Sequence, residues 1–402
     1  MVETEGEKEK RGSGPDCRSV QAGQELPGIL YYRFQEGDDL VSDLTCFQAC
    51  LYYLLKTEGK ERNQDIFEIF LRDINFGVEE TGAGTIHDFY FLDRSIHEYG
   101  FERHYVLGKG TRVLSEVEAL LDRGKAVIMQ TYIHRVPFFK DFFGFDYALD
   151  EDYYRNNYHL HHTFLVVGHD AENLFYVEAP YNRNPERYIP HEANPTIGVI
   201  HKQELVPAFE AFLNYTYADI DAEKMANMFE VLATVIVQSI QNYRLSGSTY
   251  NNNKQNQTSN SVIQYYGREA IARTINHLTS EHFDFLQKIP QYGITLGDLL
   301  IWKLQDINNR RRLLAKAFAK YRQSFDGGDT ERVIELLAGI TRSWQISIAN
   351  FIKMRVKKKY VMDDSFREVL SGIPGLEDEL IHQLQGLGKP YCDGFTFMRG
   401  SN

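Results

Sequence analysis

Apolar residues recur with helical spacing directly behind a cysteine near residue 46. They occupy one face of an amphipathic helix at i, i+3, i+4, i+7 and i+8, namely Phe47, Cys50, Leu51, Leu54 and Leu55. We expect this helix to begin at Cys46 and to end near Lys56, with Asp43 or Thr45 as its N-cap. The thiol of Cys46 then lies in the first helical turn, where the positive end of the helix dipole favours a thiolate.

The rest of the first half alternates short apolar runs, typical of strands, with helical patterns. The apolar, β-branched run at 125–132 and the run at 162–168 are typical of buried strands. A turn at 170–173 followed by a second apolar run predicts a hairpin. The expected strands are 30–34, 103–107, 125–132, 162–168 and 174–178, and the expected helices are 63–72, 86–100 and 113–123.

The second half shows almost only helical periodicity, so we predict that it is wholly helical. A polar, asparagine-rich segment at 246–261 interrupts it and is expected to be a disordered loop. We therefore predict an α+β protein with a disordered tail at 1–28, a papain-like domain at 29–205 and an all-α domain at 206–402. The expected helices of the last part are 222–243, 262–288, 296–323, 330–356, 364–372 and 375–386.

The net charge, the apolar runs and the cysteine count of the chain argue against some classes of partner and indicate a cellular compartment. The net charge of −12 argues against nucleic acid or an anionic membrane as the main partner, since both attract positive surfaces. No run of 18 apolar residues predicts a membrane span. Four cysteines are too few for a disulfide framework, and the polar N-terminus has no signal-peptide core, so we expect a cytoplasmic protein.

A cysteine on an early helix, a histidine opening a later strand and an acid on the next strand follow one another in the order of papain-like enzymes. Cys46 is the candidate nucleophile, His162 the candidate base and Glu178 the acid that would orient the imidazole. His162 lies on the same strand face as Phe164 and Val166. The joint pattern favours a catalytic triad.

Two other interpretations of the cysteines stay open. Cys46 and Cys50 could be small apolar residues of a buried helix. Alternatively, they could ligate zinc with the cluster His159, His161 and His162, although these residues lack the spacing of a structural zinc site. We expect no metal.

Several motifs resemble known families. The segment Thr45-Cys-Phe-Gln-Ala-Cys-Leu51 resembles the cysteine helix of bacteriocin-processing peptidases. More closely, the segments 124–132, 136–138 and 162–170 look like the butirosin biosynthesis protein H family, most specifically in the His-x-x-x-x-x-Gly-x-Asp pattern of 162–170. The resemblance covers roughly residues 30–200 and implies a papain-like fold.

The resemblance also implies an activity, namely transfer of an acyl group from a carrier-protein thioester to an amine in secondary-metabolite biosynthesis. It assigns Cys46 as nucleophile and His162 as base, whereas relatives often place the acid one residue later than Glu178. Related peptidases carry an oxyanion-hole glutamine where this chain has Leu40. A second donor beside the backbone N–H of Cys46 would then come from one of three other side chains, Gln48, Gln130 or Tyr132.

The partners that follow are an acyl or peptidyl carrier protein and an amine acceptor. No cofactor is expected on this chain, because the phosphopantetheine arrives on the carrier. Two basic runs, one from Arg310 to Arg322 and one from Lys353 to Lys359, could dock an acidic carrier or be solvated helix faces. Helix-mediated homodimerisation is also open. The aromatic segment 133–158 is the candidate cover that would exclude water from the cleft.

Other functions use the same residues or none of them. A cysteine peptidase or thioester hydrolase would need the same triad. The missing oxyanion-hole glutamine weakens the peptidase interpretation more than the acyltransferase one, because a peptide is a less reactive acyl donor than a thioester. A non-catalytic binding or scaffold protein on the same fold is the alternative from a different class.

Overall fold

The computed structural model describes thirteen stretches of the chain. They are residues 44–58, 67–80, 86–91, 101–108, 112–132, 161–177, 198–206, 213–220, 228–244, 263–280, 283–289, 294–325 and 329–392. Within them the protein is α+β, with antiparallel sheets and seven α-helices.

A six-stranded antiparallel sheet forms the first of the two main parts. Its strand order is β3-β8-β4-β5-β6-β7, so the strand that comes last in the chain lies between the first and the second. The strands are β3 (Phe101–Gly108), β4 (Val127–Tyr132), β5 (His161–His169), β6 (Asn173–Val177), β7 (Gly198–His201) and β8 (Leu213–Ile220).

Two helices cover opposite faces of this sheet. The first, α1 (Cys46–Glu58), shares a buried cluster with Ile128, Leu165 and Val167, whereas α2 (Arg112–Asp122) shares a separate cluster with Met129, Phe164 and Val166. Neighbouring residues of β4 and β5 thus belong to different clusters, as the two-residue repeat of a strand requires. The sheet is consequently buried on both faces.

A smaller sheet joins the two parts of the chain. It has the order β2-β1-β9, from β1 (Gly77–Glu80), β2 (Ile86–Tyr90) and β9 (Ile263–Tyr266). Beside it, the carboxylate of Asp73 accepts hydrogen bonds from Asn242 Nδ2 (2.6 Å) and the Tyr266 hydroxyl (3.2 Å), while its backbone carbonyl accepts from Arg310 Nη1 (3.0 Å). Burial raises the pKa of Asp73 in spite of these hydrogen bonds.

The remaining helices form the second main part. Three long helices pack together, and they are α5 (Leu296–Lys320), α6 (Thr330–Lys357) and α7 (Asp364–Cys392). Helix α5 packs against α6, and α6 packs against α7; all three contribute to the buried cluster that also includes α1. A reciprocal capping box starts α5, where Thr295 and Asp298 each bond to the other's backbone. The helices are α3 (Met228–Tyr243), α4 (Gly267–Leu278), α5 (Leu296–Lys320), α6 (Thr330–Lys357) and α7 (Asp364–Cys392), and a ribbon of β10 (Lys288–Ile289) and β11 (Ile294–Thr295) precedes α5.

The structure corrects several predicted elements. Residues 86–90 are a strand rather than the start of a helix, because they pair with β1. The second half is not wholly helical, since β8 lies inside the six-stranded sheet and β9 replaces the start of the helix predicted at 262–288. The two short helices predicted near 364–372 and 375–386 are one continuous helix, α7, which runs through Pro374.

The helix predicted at 63–72 is, in its described part, only a short 3-10 turn at Phe67–Phe70. Of the remaining predictions, some are confirmed and some lie outside the described residues. The helices at α1 and α2 and the strands at β3, β4, β5 and β6 are where the sequence pattern placed them. Strand β8 lies after the domain boundary predicted near residue 205, but it belongs to the sheet of the first part. The predicted tail, the strand at 30–34, the aromatic segment 133–158 and the loop at 246–261 are outside the described residues.

None of the helices in the described stretches combines the length and the apolar character that a membrane crossing requires.

Candidate active site

The start of α1 is a capping box built around the cysteine. Thr45 is the N-cap, because its side-chain Oγ1 accepts from the backbone N–H of Gln48 (3.3 Å) and its carbonyl accepts from Ala49 (2.8 Å). Gln48 in turn accepts the backbone N–H of Thr45 at its side-chain Oε1 (2.9 Å). The cap fixes Cys46 as the first helical residue, where its side chain is half-buried.

The same helix lies directly on β5. Cys50, one turn after Cys46, is fully buried, and its thiol is 3.6 Å from the backbone carbonyl of Thr163. This contact confirms that Cys50 is a buried helix residue. Cys46 lies four residues, about 6 Å along the helix axis, before this contact with β5.

Both His161 and His162 open β5, and the strand register places them on opposite faces. His162 pairs with Thr131, Thr163 with Gln130, and His161 with Tyr132. Because side chains alternate along a strand, His162 lies on the same face as Phe164 and Val166, and this face packs against α2. His162 is only 3% exposed. The register position of His161 is on the face of Leu165, which packs against α1. The sequence pattern favoured His162 and its strand face, but it does not show which helix covers each face.

The three candidate oxyanion donors occupy different positions. Gln48 uses its side-chain oxygen in the cap, so a donor role would fall to its Nε2 amino group. Gln130 lies in β4, between its register partners Thr163 of β5 and Asn214 of β8, on the face toward α1. Tyr132 ends β4 opposite His161. The capping-box pattern Thr-x-x-Gln at 45–48 was the sequence feature that could have predicted the first of these contacts.

The acid of the predicted triad is outside the described residues. The strand that leads to it, β6, pairs with β5 and ends at Val177, one residue before Glu178. The hairpin that was expected to carry Glu178 beside the histidine strand is therefore confirmed as far as Val177. The position of Glu178 itself stays a prediction.

Asp170, the last residue of the motif at 162–170, builds the turn of this hairpin. Its Oδ1 accepts the backbone N–H groups of Glu172 (2.8 Å) and Asn173 (2.7 Å). Partial burial acts to raise the pKa of Asp170, but the bonds from Asn173 and Glu172 and the charge of Lys202 outweigh it and lower that pKa. The aspartate of the motif thus has a structural role in setting the β5–β6 register.

Two further predictions, metal binding and carrier docking, involve other side chains. Among the described residues, no group of three or more His, Cys, Asp and Glu side chains is placed to hold a metal ion. The first basic run is only partly on the surface, because Arg310 and Arg311 are buried and Lys320 forms an ion pair with the buried Glu68. Of this run, Arg312 and Lys316 are half-buried and Arg322 is exposed, so carrier docking at this run stays a prediction.

The chain matches no protein-family model, and no curated protein matches it significantly.

Proposed function

We propose that this protein is an amide-forming acyltransferase of secondary metabolism, with a papain-like fold and Cys46 as its nucleophile. The acyl donor is a phosphopantetheinyl thioester on a carrier protein, and the acceptor is a primary amine. The observation that carries the proposal is the cap at Thr45 and Gln48, which holds Cys46 at the start of a helix packed on the histidine strand β5.

In the first half-reaction the Cys46 thiolate attacks the thioester carbonyl. The bond from the acyl carbon to the carrier sulfur breaks, an acyl bond to Cys46 forms, and the carrier thiolate leaves with a proton from an imidazolium. The backbone N–H of Cys46 is one donor to the developing oxyanion, because the first N–H groups of a helix point out of its N-terminal end.

In the second half-reaction the amine attacks the acyl-enzyme. Its proton passes to the imidazole, the amide leaves, and the Cys46 thiolate is regenerated, so no oxidant or further reactant is consumed. A thioester is an activated donor, and the energy of its carbon–sulfur bond is retained in the acyl-enzyme. The amine must reach this intermediate before water does.

The base is a histidine at the start of β5. The family resemblance assigns it to His162, and strand alternation favours His161, whose register position is toward α1. Single substitutions His161→Ala and His162→Ala therefore distinguish them. Loss of the base should lower kcat/KM by about 10³-fold or more, whereas loss of the other histidine should change it by less than about tenfold.

The test of the reaction class compares products with and without an amine. A butyryl-loaded acyl carrier protein is incubated with the enzyme, with and without butylamine, and the products are separated by mass spectrometry. We expect the amide when the amine is present and slow release of butyrate when it is absent. Butyrate formed at the same rate in both reactions would make the protein a thioester hydrolase, and no product in either would overturn the proposal in favour of a non-catalytic role.

A further inference from the structure

The last turn of α4 carries a histidine that packs against aromatic side chains from two other parts of the chain. The ring of His277 meets Phe283 edge-on at a centroid distance of 5.2 Å, and Phe283 in turn packs against Tyr360 at 4.9 Å. The hydroxyl of Tyr360 donates to the carbonyl of Leu278 (2.6 Å), so this tyrosine also closes on the end of α4. We call the contact between His277, Phe283 and Tyr360 the α4 latch.

One nitrogen of this imidazole lacks a hydrogen-bond partner. The Nε2 atom of His277 is buried, and no donor or acceptor among the described residues reaches it. A neutral imidazole tolerates such a position better than a charged one, because one of its two nitrogens carries no proton. A protonated imidazole has an N–H at both nitrogens and a positive charge, so its burial without a partner costs more. The closed latch therefore favours the neutral ring, and burial lowers the pKa of His277.

The charged groups on the elements around the α4 latch do not offset this cost. On α4 itself, Arg273 forms ion pairs with Glu80 and Glu269. Beside the phenylalanine, Asp284 is exposed and accepts the backbone N–H of the second residue after it (3.0 Å). Tyr360 stays neutral because burial raises its pKa. The charged side chains that follow α6 and begin α7 are exposed as well, and they are Lys358, Lys359, Asp363, Asp364, Arg367 and Glu368.

Few side chains hold the segment 283–288, which supplies the middle member of the latch. Phe283 and Phe285 are its two buried side chains, and the four other residues are exposed. Its backbone is joined to the start of α5 by hydrogen bonds such as the one from the N–H of Gly297 to the carbonyl of Phe285 (2.9 Å). A segment with so few buried contacts can separate locally at a lower free energy than the long helices, whose apolar faces are buried along their length.

We propose that the α4 latch is a pH-sensitive switch, in which protonation of His277 separates the segment 283–288 from α4 and from Tyr360 while the long helices stay folded. Opening brings the imidazole into water, where its pKa returns to the ordinary value of about 6.5. The open form therefore binds a proton more tightly than the closed form, and acid shifts the equilibrium toward the open form. The closed latch is fully stable above about pH 6.5 and loses stability as the pH falls below that value.

The test is hydrogen–deuterium exchange of the full chain at pH 7.5 and pH 5.5, expressed as protection factors so that the intrinsic pH dependence of exchange is removed. One proton that binds the open form with a pKa of about 6.5 can raise the opening equilibrium by at most about tenfold over this range. For peptides that cover 279–288, we expect the protection factors of the wild type to fall by about five- to tenfold at pH 5.5.

Two substitutions remove the titrating group in different ways. His277→Phe suits the aromatic surroundings, and His277→Gln keeps a polar side chain, so at least one of them should fold as the wild type does, which circular dichroism checks. In both variants the protection factors of 279–288 should change by less than about twofold between the two pH values.

Two other histidines are the matched controls. His282→Gln removes an imidazole at a position outside the described residues, and His104→Gln removes one that pairs with Asp219 on the sheet. Both variants should keep the pH response of the wild type. Wild-type protection that is the same at both pH values would overturn the proposal, and so would a response that persists without His277. Equal protection of 279–288 and of the middle of α6 at pH 7.5 would also overturn it, because the segment would then open only on global unfolding.

Discussion

The six-stranded sheet and the long helices bury polar groups in different ways. In the helical part the buried polar groups include full charges that join one element to another, such as Arg311 of α5 with Glu377 of α7. On the face of the sheet toward α1, the buried polar side chains are uncharged threonines. The hydroxyls of Thr163 and Thr216 have no hydrogen-bond partner within the described part of the chain. Buried polar atoms without a hydrogen-bond partner also occur in the long helices, for example Asn308 Oδ1. The difference is therefore the full charges buried between helices, which the face of the sheet toward α1 does not share within the described residues.

This contrast separates stability from chemistry. A buried ion pair is costly to break because one charge is left unpaired in a dry interior. Substitutions among the long helices should therefore lower the free energy of unfolding without a selective effect on Cys46. Substitutions at the start of α1 should affect Cys46 even where their effect on stability is small.

The largest effect is expected from the Arg311–Glu377 pair. Arg311→Ala leaves the carboxylate of Glu377 buried without its partner and should lower the free energy of unfolding by about 3–5 kcal/mol. Arg322→Ala removes an exposed pair with Glu331 and is the matched control, with an expected loss below about 1 kcal/mol. Urea denaturation measures both, and equal small losses would show that the buried pair does not lock α5 to α7.

The next effect concerns Gly267, the first residue of α4. Its φ of +57° is in the left-handed region, and an added Cβ would lie 2.5 Å from the carbonyl oxygen of Asn242. Gly267→Ala should therefore cost about 2–3 kcal/mol. Gly372→Ala, in an open position of α7, should instead stabilise by about 0.5–1 kcal/mol. Thermal unfolding should show opposite shifts, and shifts of the same sign would contradict this backbone geometry.

A smaller effect distinguishes the two capping boxes. Thr45→Ala at α1 and Thr295→Ala at α5 should each cost about 1 kcal/mol, because each removes one N-cap. Only Thr45→Ala should slow alkylation of Cys46 by iodoacetamide at neutral pH, by about threefold, since a frayed helix start stabilises the thiolate less. Equal alkylation rates in the two variants would remove the link between the cap and the thiol.

The smallest effect is a pH dependence at His277. Burial lowers its pKa, and its ring packs edge-on against Phe283 at a centroid distance of 5.2 Å. The unfolded chain therefore binds a proton more readily than the folded protein, so stability falls as the pH drops below about 6.5. Because one group titrates, the free energy of unfolding can change by at most about 1.4 kcal/mol per pH unit. His277→Phe should flatten the dependence between about pH 7 and 5 in denaturation experiments, and an unchanged slope would exclude His277 as its source.

Local periodicity was sufficient to predict the elements that carry the candidate site. The apolar spacing behind Cys46 predicted α1, and the β-branched runs predicted β4 and β5, because each pattern lies within one element. Strands β2, β8 and β9 were missed, since their conformation depends on pairing with residues far away in the chain. Residues 263–266, for example, are a strand because they pair with 77–80.

The site itself was predictable in part. The placement of Cys46 at a helix start followed from the sequence, and the Thr45–Gln48 cap was readable from the same segment. The alternation of β5 put His162 on the face of Phe164 and Val166, but the helix that covers each face is known only once α1 and α2 are placed on the sheet. The choice between two adjacent histidines therefore required tertiary structure.

The most direct measurement of the central claim is the intact mass of the protein after incubation with a butyryl-loaded acyl carrier protein without amine. The account predicts one added butyryl group on the wild type and on Cys50→Ala, and none on Cys46→Ala. Because Cys50 is buried against Thr163, its substitution is the matched control for a thiol that should not react. Acylation that persists in Cys46→Ala, or a wild type that never gains the group, would contradict Cys46 as the nucleophile.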